Sequence, residues 1–362
     1  MIVAGGGTGG HLFPGLAVAE QWAGADAASV LFVGSAFGIE ARVIPQTRFA
    51  FHPLAIRGLR GRGWRGAFEL AAQLPAALVR AWRILGDVGA DLVLGVGGYA
   101  SFPVVAAAWL RRVPSVLLEQ NAHPGLANRV LSRLARRVCT TFEEANRYFP
   151  AGTVVLTGNP VRAFAAAAAT AAAPAAHSGF TLLAFGGSQG AHRLNTALAD
   201  AAPALRAALP ALHVIHQTGA ADRDAVAAGW AAAGVAADVR PFIDDMGAAY
   251  ARADLVVCRS GATTVAELTA LGKAAILVPY PFAADDHQRA NASVLAARGA
   301  AVLVLDGECT GERLATEVIG LARDRARLGA MATAARRLGV PDAAARVVAA
   351  CRAVLSGGGE GV

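Results

Sequence analysis

Two glycine-rich stretches decide the fold of this 362-residue chain. They are Ala4-Gly-Gly-Gly-Thr-Gly-Gly-His11 and Ala184-Phe-Gly-Gly-Ser-Gln-Gly-Ala-His192, and each follows a short apolar run and opens a helical one. A glycine-rich turn between a strand and a helix is typical of a Rossmann-like domain, where backbone N–H groups at the helix N-terminus face an anion. The repeat therefore predicts two similar domains, one in each half of the chain.

The pattern along the whole chain favours an α/β fold. Short β-rich runs alternate with helical stretches, as expected for parallel sheets with crossover helices. The predicted strands are residues 2–4, 30–33, 92–95, 116–118, 154–156, 181–185, 213–216, 255–257, 275–278 and 301–305. The helices predicted by residue number are 14–23, 67–85, 104–110, 126–134, 143–149, 312–322 and 343–355.

Composition predicts the domain boundaries. Residues 1–162 form an N-terminal domain and residues 179–340 a C-terminal one. Between them, residues 163–178 are rich in alanine and carry no charge, and without an amphipathic stripe they are predicted to be a connector. Residues 341–362 form a helix able to pack back on the N-terminal domain, followed by a frayed glycine-rich tail.

The net charge of +7 lies entirely in the first half of the chain. Residues 1–162 hold 16 basic and 9 acidic side chains, whereas residues 163–362 hold 17 of each. Six arginines and one acid fall between Arg57 and Arg83, interleaved with Trp64, Phe68, Leu70, Leu74, Leu78 and Trp82. Such a segment fits a nucleic-acid surface, a solvated amphipathic helix or an anionic membrane surface.

Several classes of protein are excluded. A 55% share of hydrophobic residues excludes disorder. Cys139, Cys258, Cys309 and Cys351 lack metal-ligand spacing and are expected to be reduced thiols in a cytoplasmic protein without a metal site. The glycine motif begins at residue 5 and leaves no room for a signal peptide. Residues 92–110 are uncharged, but their glycines and a proline exclude a transmembrane helix.

The first glycine loop does not predict a nicotinamide cofactor. Gly5, Gly7 and Gly10 satisfy the dinucleotide pattern, yet the second strand ends in Gly34-Ser35 without the carboxylate that holds the ribose. A diphosphate remains compatible with this loop. His11 follows the loop where a strand gives way to a helix, so it is a candidate acid, base or phosphate contact.

Eight motifs occur in the order and spacing of the MurG family of bacterial N-acetylglucosaminyltransferases, which the chain resembles from residue 2 to about residue 340. They are Gly6-Gly-Thr-Gly-Gly-His11, Gly97-Gly-Tyr-Ala-Ser101, Glu119-Gln-Asn121, Gly158-Asn-Pro-Val-Arg162, Gly186-Gly-Ser-Gln-Gly-Ala191, Phe242-Ile-Asp-Asp-Met246, Cys258-Arg-Ser-Gly-Ala262 and Asp286-His-Gln-Arg-Ala-Asn291. The resemblance implies a GT-B fold, in which two Rossmann-like domains with parallel sheets face a central cleft.

The resemblance also implies the reaction. An inverting hexosyltransferase would move N-acetylglucosamine from UDP-N-acetylglucosamine to the 4-hydroxyl of MurNAc in undecaprenyl-pyrophosphoryl-MurNAc-pentapeptide. This is the step from lipid I to lipid II in peptidoglycan synthesis, and it would need neither a metal nor a cofactor. Two alternatives keep the fold: another glycolipid glycosyltransferase or a nucleotide-sugar epimerase. A third is a non-catalytic peripheral membrane protein that retains a nucleotide-sugar pocket.

The donor residues follow from the matched motifs. Ser188 and Gln189 are expected to hold a phosphate, and the backbone of Ile243 to read the uracil edge. Glu267 is expected to bind the ribose while loop amides face the diphosphate, although Thr264-x-x-Glu267 also fits a purely structural capping box. The substrate-binding residues expected in this segment are Ala262, Thr263, Thr264, Val265, Ala266 and Glu267.

Further contacts to the donor are expected from side chains outside this segment. Gln288 and Asn291 lie three apart, hence on one helix face, suited to sugar hydroxyls. Some family members carry Gln-Gln at positions 287–288, so His287 is a rival of Gln288. Asn121 is expected to reach the donor sugar and Arg162 the nucleotide.

The acceptor residues are Thr8, Gly9, Gly10 and His11, together with the Gly97-Gly98-Tyr99 loop. The base that takes the proton of the attacking hydroxyl is either His11 or Glu119, and the sequence leaves the choice open.

A lipid-linked acceptor favours the membrane interpretation of the basic segment over nucleic acid. The sequence therefore predicts peripheral docking, through the residues between Arg57 and Arg83, to an anionic surface on the cytoplasmic face of the cell membrane. Other proteins of cell-wall synthesis are candidate partners.

Overall fold

The computed structural model describes residues 1–24, 26–58, 63–170, 179–187 and 189–357. It divides into two compact units. The first comprises Met1–Arg162 and Val340–Val362, and the second comprises Ala163–Gly339. Ser188, Arg60, Arg62, residues 171–178 of the predicted connector and residues 358–362 of the predicted tail lie outside the described residues, as do the side chains of Trp64, Arg65, Phe68 and Leu70.

A parallel sheet of seven strands forms the centre of the first unit, in the order β3-β2-β1-β4-β5-β6-β7. Its strands are almost wholly apolar because helices cover both faces of the sheet. They are β1 (Ile2–Ala4), β2 (Leu31–Ser35), β3 (Ala50–Leu54), β4 (Val93–Gly95), β5 (Ser115–Glu119), β6 (Arg137–Thr140) and β7 (Val154–Leu156).

In the part of this unit that the structure describes, six α-helices pack around the sheet. They are α1 (Gly9–Ala23), α2 (Glu40–Val43), α3 (Gly63–Asp87), α4 (Ser101–Leu110), α5 (Leu126–Leu131) and, from the end of the chain, α14 (Ala343–Ser356). Val347, Val348 and Cys351 of α14 share a core cluster with Leu12 and Val18 of α1. The C-terminal helix is thus part of the first unit. The helix predicted for residues 143–149 is a 3₁₀ helix, Glu143–Tyr148.

One side of helix α3 packs against the core of the first unit. Ala77, Ala81, Ile84 and Leu85 are buried, and Leu74 and Leu78 pack partly buried against the same core. This repeat every three or four residues is the core-facing stripe of an amphipathic helix. Leu74 and Leu78, predicted to belong to a membrane surface, therefore face the core instead.

The second unit repeats the arrangement with a six-stranded parallel sheet in the order β10-β9-β8-β11-β12-β13. Both sheets thus have the strand order of the Rossmann fold, which predicts ligand sites at the carboxyl ends of the central strands. The strands are β8 (Phe180–Phe185), β9 (Leu212–Gln217), β10 (Ala236–Arg240), β11 (Leu255–Cys258), β12 (Ala275–Leu277) and β13 (Ala301–Leu303).

Eight α-helices lie in the described residues of this unit. They are α6 (Ala163–Thr170), α7 (His192–Ala208), α8 (Arg223–Ala232), α9 (Met246–Arg252), α10 (Ala262–Leu271), α11 (His287–Ala297), α12 (Gly311–Arg323) and α13 (Arg325–Leu338). Helix α6 occupies the first half of the predicted connector and packs on α9 and α10. The rings of Phe164 and Tyr250 stack with their centroids 6.1 Å apart.

A buried polar network holds the end of β9. Trp230 Nε1 donates to His216 Nδ1 at 3.2 Å, and His216 Nε2 lies 3.1 Å from Asn195 Oδ1. Asn195 Nδ2 donates in turn to the Thr218 carbonyl and to Asp222, both at 2.8 Å. Since Nδ1 must accept from Trp230, the imidazole is neutral, and burial lowers the pKa of His216 to about 4.

No helix in the described ranges is long and apolar enough to cross a membrane. The uncharged stretch at 92–110 forms β4, a glycine turn and α4.

Lowering the pH from 7 to 4 should destabilise the second unit by about 3 kcal/mol through His216. The unfolded residue titrates near 6.5 and the folded one near 4, so in that window only the unfolded chain takes up the proton. The stabilisation is complete above pH 6.5 and is lost as the pH falls. Urea unfolding followed by tryptophan fluorescence measures it. His216→Gln should flatten the pH dependence and His52→Gln should leave it unchanged; equal slopes in all three proteins would refute this role.

Candidate functional site

Two glycine turns pack backbone to backbone at the carboxyl ends of β1 and β4. Gly5, Gly6 and Gly7 have φ values of 136°, 135° and 87°, and Gly97 and Gly98 have 92° and 77°. A Cβ atom on Gly5 would collide with the carbonyl oxygen of Gly97, and one on Gly98 with that of Gly6. Only glycine permits both the positive φ angles and this close approach.

A buried carboxylate that the sequence analysis missed holds the first glycine loop. Glu40 is 1% exposed, and its Oε2 accepts from the Gly7 N–H at 2.7 Å. Its Oε1 accepts from the Ser35 N–H at 2.8 Å. The dinucleotide pattern requires an acid at the end of β2, but Glu40 lies five residues after that end and binds the glycine loop of its own chain. Little in the sequence points to this role of Glu40, because the residue lies on a helix of only four residues and belongs to no motif.

The predicted acceptor residues stand at the N-terminus of α1. Thr8 is the extended N-cap residue, without a side-chain cap, and Gly9, Gly10 and His11 are the first three helical residues. The N–H groups of Gly9 and Gly10 have no carbonyl of their own helix to bond. Together with the helix dipole, they make this end of α1 favourable for an anion.

The His11 ring lies against the second glycine turn. Its Nδ1 is 3.1 Å from Oε1 of Gln120, which is buried. A Cβ atom on Gly97 would come within 2.9 Å of the same nitrogen. The ring is therefore enclosed by the β4 turn and by the residue after β5.

Glu119 is enclosed by donors from its own loop. Oε1 accepts from the backbone and side-chain N–H groups of Asn121 at 2.9 and 3.2 Å, and Oε2 accepts from Asn128 Nδ2 at 2.9 Å and the Gly125 N–H at 3.3 Å. Burial raises the pKa of Glu119, and these hydrogen bonds oppose the rise. The carboxyl group anchors the loop that carries Asn121.

In the second unit, a glycine turn connects β8 to α7. Gly187 and Gly190 have φ values of 96° and 77°, Gln189 is exposed, and Ala191 is the N-cap residue. Gln217, at the end of β9 and not predicted, binds this turn through Nε2, which donates to the Gly187 carbonyl at 2.9 Å.

Gln217 also accepts a hydrogen bond from the Ile243 backbone N–H group, which was predicted to read the uracil edge. Its Oε1 accepts from the Ile243 N–H at 2.8 Å, and Ile243 is buried. A uracil that takes this N–H must therefore displace the Gln217 oxygen. The glutamine links the two loops on which the donor contacts were predicted.

The α10 helix begins earlier than the capping-box interpretation requires. Gly261 is the N-cap residue and no side chain caps the helix, so Thr264 is the third helical residue and Glu267 the sixth. The capping-box interpretation is therefore wrong, and Glu267 lies in the second turn of the helix. The first intrahelical bond runs from the Val265 N–H to the Gly261 carbonyl, so the N–H groups of residues 262–264 point out of the helix end.

Glu267 is buried one turn behind this helix end. Tyr250 Oη donates to its Oε2 at 3.3 Å. Beside it, Thr263 Oγ1 is a buried hydroxyl oxygen without a hydrogen-bond partner in the described part of the chain.

Ser260 joins this region to α11. Its Oγ donates to the Gln288 carbonyl at 2.8 Å, and its own carbonyl accepts from Asn291 Nδ2 at 3.2 Å. Asn291 is fully buried. Gln288 Oε1 accepts from the Tyr280 N–H at 3.0 Å, and His287 Nδ1 lies 2.6 Å from the Ala284 carbonyl.

The predicted residues thus fall into two groups. Thr8, Gly9, Gly10, His11, Glu119 and Asn121 come together in the first unit, and Gln189, Ile243, residues 262–267, Gln288 and Asn291 in the second. Arg162, half-buried, is the last residue of the first segment of unit one. Across the described ranges, no group of three or more His, Cys, Asp or Glu side chains could hold a metal ion.

Comparison with known proteins covers both units. Residues 1–140 match the glycosyltransferase family 28 N-terminal domain, and residues 181–347 match its C-terminal domain. A UDP-N-acetylglucosamine–N-acetylmuramyl-(pentapeptide) pyrophosphoryl-undecaprenol N-acetylglucosamine transferase of Anaeromyxobacter sp. (strain K) is 48% identical, over 97% of this chain and 92% of that protein.

Solved structures give the same relationship. The crystal structure of MurG from Acinetobacter baumannii has a TM-score of 0.80 and 35% identity, and covers 97% of this chain and 98% of that one. A UDP-GlcNAc 2-epimerase from Neisseria meningitidis has a TM-score of 0.66, covering 96% of this chain and 98% of that one. Its 13% identity indicates a shared fold alone.

Glu40→Gln should destabilise the first unit by about 2 kcal/mol, because one of the two buried N–H groups would face an amide nitrogen instead of a carboxylate oxygen. Urea unfolding measures the change. Glu20, a half-exposed partner of Arg48, provides the matched control, and Glu20→Gln should cost less than about 1 kcal/mol. Equal losses in the two variants would contradict the role of Glu40.

Proposed function

The chain belongs to glycosyltransferase family 28, has its GT-B fold of two Rossmann-like domains, and, we propose, transfers N-acetylglucosamine from UDP-N-acetylglucosamine to the 4-hydroxyl of MurNAc in undecaprenyl-pyrophosphoryl-MurNAc-pentapeptide. It is thus a hexosyltransferase that makes lipid II from lipid I in peptidoglycan synthesis. The observation that carries this function is 48% identity over 97% of the chain with a transferase of that name. The epimerase alternative is supported only by a shared fold.

The second unit is proposed to bind the donor. The N-termini of α7 and α10 present outward N–H groups suited to a diphosphate, next to Gln189 and to Ala262, Thr263 and Thr264. The Glu267 carboxylate is suited to a ribose diol, and Thr263 Oγ1 supplies a further polar group. Val265 and Ala266 shape the turn behind these N–H groups. Ser188 stays a predicted phosphate contact.

The two sugar contacts predicted on α11 differ in their surroundings, so only one of them keeps the predicted role. Asn291 is fully buried and bound to the Ser260 carbonyl, so we assign it to holding the α10 turn against α11. Gln288 is half-buried beside Tyr280 and keeps its role as the sugar contact, ahead of His287. Asn121 and Arg162 stay predicted contacts of the donor.

Inverting transfer needs a base. The acceptor 4-hydroxyl oxygen attacks the anomeric carbon of the sugar, the bond to the diphosphate breaks, and UDP leaves with the electron pair while the hydroxyl proton passes to the base. Outward N–H groups at helix ends stabilise the charge that develops on the leaving diphosphate. We assign the base to His11 rather than Glu119, because Glu119 is 1% exposed and its carboxyl group receives four hydrogen bonds from the loop after β5 and the start of α5.

A transfer assay with radiolabelled UDP-N-acetylglucosamine and a short-chain lipid acceptor tests the function and this assignment. His11→Ala should lower kcat by about 10²–10⁴-fold with little change in the KM for the donor. Glu119→Gln should mainly reduce stability, and His52→Ala, in β3 of the same unit, should retain wild-type kcat. Wild-type kcat in His11→Ala, with activity abolished by Glu119→Gln, would reverse the assignment.

The same assay separates the alternatives. An epimerase would convert the nucleotide sugar without any acceptor, and a non-catalytic protein would release no UDP when the lipid acceptor is present. Release of UDP that requires the acceptor excludes both.

We propose that the first unit docks on an anionic membrane surface through a basic aromatic patch. Opposite the buried side of α3, Val79 and Trp82 are exposed, and each is followed directly by an exposed arginine, Arg80 and Arg83. The Arg111 guanidinium lies over the Trp82 ring at 3.6 Å. Arg111 follows the exposed Trp109 and Leu110, so α4 extends the patch predicted from α3 alone.

Aromatic rings and aliphatic side chains surrounded by arginine are suited to the interface of an anionic bilayer. A protein docked in this way would reach a lipid-linked acceptor from the cytoplasmic face of the membrane. The net charge of +7 in residues 1–162 favours the same orientation. Protein partners in cell-wall synthesis stay predictions.

Co-sedimentation with phosphatidylglycerol vesicles tests the basic aromatic patch. The combined change of Arg80, Trp82 and Arg83 to alanine should weaken binding by at least about tenfold, since each arginine near such a surface contributes about 1 kcal/mol. Arg323→Ala with Arg327→Ala removes two exposed arginines from the second unit and should leave binding unchanged. Equal binding of the patch variant and wild type would refute this surface.

A further inference from the structure

Gln120 has no role in the reaction described so far, yet it lies within hydrogen-bond distance of the His11 ring. It follows Glu119 at the end of β5 and is 1% exposed. Its Oε1 lies 3.1 Å from His11 Nδ1, and its Nε2 donates to the Val96 carbonyl at 2.8 Å. Both amide atoms therefore have specific partners in the first unit.

The contact with Val96 determines which way the amide points. A carbonyl oxygen only accepts hydrogen bonds, so the amide nitrogen must face Val96 and the amide oxygen must face His11. Val96 is itself fixed, because its N–H donates to the Ala4 carbonyl at 2.8 Å. The side-chain orientation of Gln120 thus follows from the sheet and not from a mobile neighbour.

This orientation decides the tautomer of the histidine. An amide oxygen cannot donate, so a hydrogen bond between it and His11 requires the proton to be on Nδ1. The lone pair of the neutral ring is then on Nε2, the nitrogen that can receive a proton.

We propose that Gln120 is a positioning residue, which holds His11 as the Nδ1–H tautomer so that Nε2 takes the proton of the acceptor hydroxyl. The proposal rests on the function proposed above. In the transfer step the hydroxyl proton moves to Nε2 while the bond from Nδ1–H to Gln120 is retained. The amide does for this ring what a buried aspartate does in serine hydrolases, but without adding a negative charge.

Gly97 contributes to the same arrangement of Gln120 and His11. A side chain at Gly97 would press on Nδ1, because its Cβ atom would be within 2.9 Å of that nitrogen. The glycine turn thus leaves room for the ring in the orientation that Gln120 selects.

The tautomer can be measured directly in the full-length protein. Histidine labelled with ¹⁵N gives distinct nitrogen shifts for protonated and unprotonated ring positions, and comparison with His11→Ala assigns the signal. The wild type should show a protonated Nδ1 and an unprotonated Nε2 at a pH where the ring is neutral. The opposite pattern would overturn the proposal, and this measurement needs no variant of Gln120.

Kinetics test the consequence. Gln120→Leu removes the acceptor and should lower kcat by about 10²-fold or more, with an unchanged KM for the donor and a His11 signal shifted towards Nε2–H. Gln120→Glu keeps an acceptor and should retain Nδ1–H. Its carboxylate favours the imidazolium, so activity should begin to fall at a higher pH on the acid side. Gln46→Leu, an exposed matched control, should behave like wild type.

Wild-type kcat in a folded Gln120→Leu protein would overturn the proposal. If that variant does not fold, an unchanged pH profile in Gln120→Glu would count against it in the same way. A wild-type chain that transfers no sugar but shows Nδ1–H would contradict the proposed function while supporting the positioning by Gln120.

Discussion

The close approach of backbone to backbone at the carboxyl ends of the central strands is the constraint on which the molecule depends. In the first unit, the carbonyl oxygens of Gly6 and Gly97 lie where side chains would otherwise be, and in the second unit Gly190 lies against the Thr218 carbonyl in the same way. Because only glycine fits at these positions, its presence lets the loops pack directly against the ends of the sheets. The N-termini of the following helices then open beside those sheet ends.

Buried polar side chains, rather than the glycines alone, give these loops a single conformation. Glu40 binds the first glycine loop, Glu119 the loop after β5, and Gln217 the turn before α7. Each is buried and each receives or donates at least two hydrogen bonds, so the cost of burying a polar group is offset. The candidate site therefore consists of exposed backbone groups supported from behind by buried carboxylates and amides.

The sequence predicted most strands of both sheets and the two-unit organisation, because these depend on local apolar runs and on glycine motifs. It missed the interior strand β6, whose four residues Arg137-Val-Cys-Thr140 are half polar. It also missed β3 and β10, which are edge strands with mixed sequences, Ala50-Phe-His-Pro-Leu54 and Ala236-Ala-Asp-Val-Arg240. A strand with one unpaired edge needs neither a continuous apolar run nor a full set of N–H donors, which is why Pro53 is tolerated. Helix α6 was predicted to be part of a connector because its alanine-rich sequence has no amphipathic stripe.

The prediction of the candidate site was limited in a different way. Motifs indicated roles for His11, Glu119 and Glu267, but none for Gln120, Gln217 or Glu40. Apart from Ser35, which is five residues from Glu40, the hydrogen-bond partners of these three residues are 24 to 109 residues away. Hydrogen bonds over such separations arise from tertiary packing, and no local pattern encodes them. The capping-box interpretation failed for the opposite reason, since a local pattern was present at Thr264 but the helix began at Ala262.

Glu40 has a consequence for the similarity of the two units. A duplicated nucleotide-binding fold has two glycine loops that could compete for one nucleotide. In the first unit the Gly7 amide already has an anionic partner within the chain, and the Glu40 charge repels a second anion from that amide. The internal carboxylate thus makes the first glycine loop less favourable for a nucleotide diphosphate than its glycine pattern alone suggests.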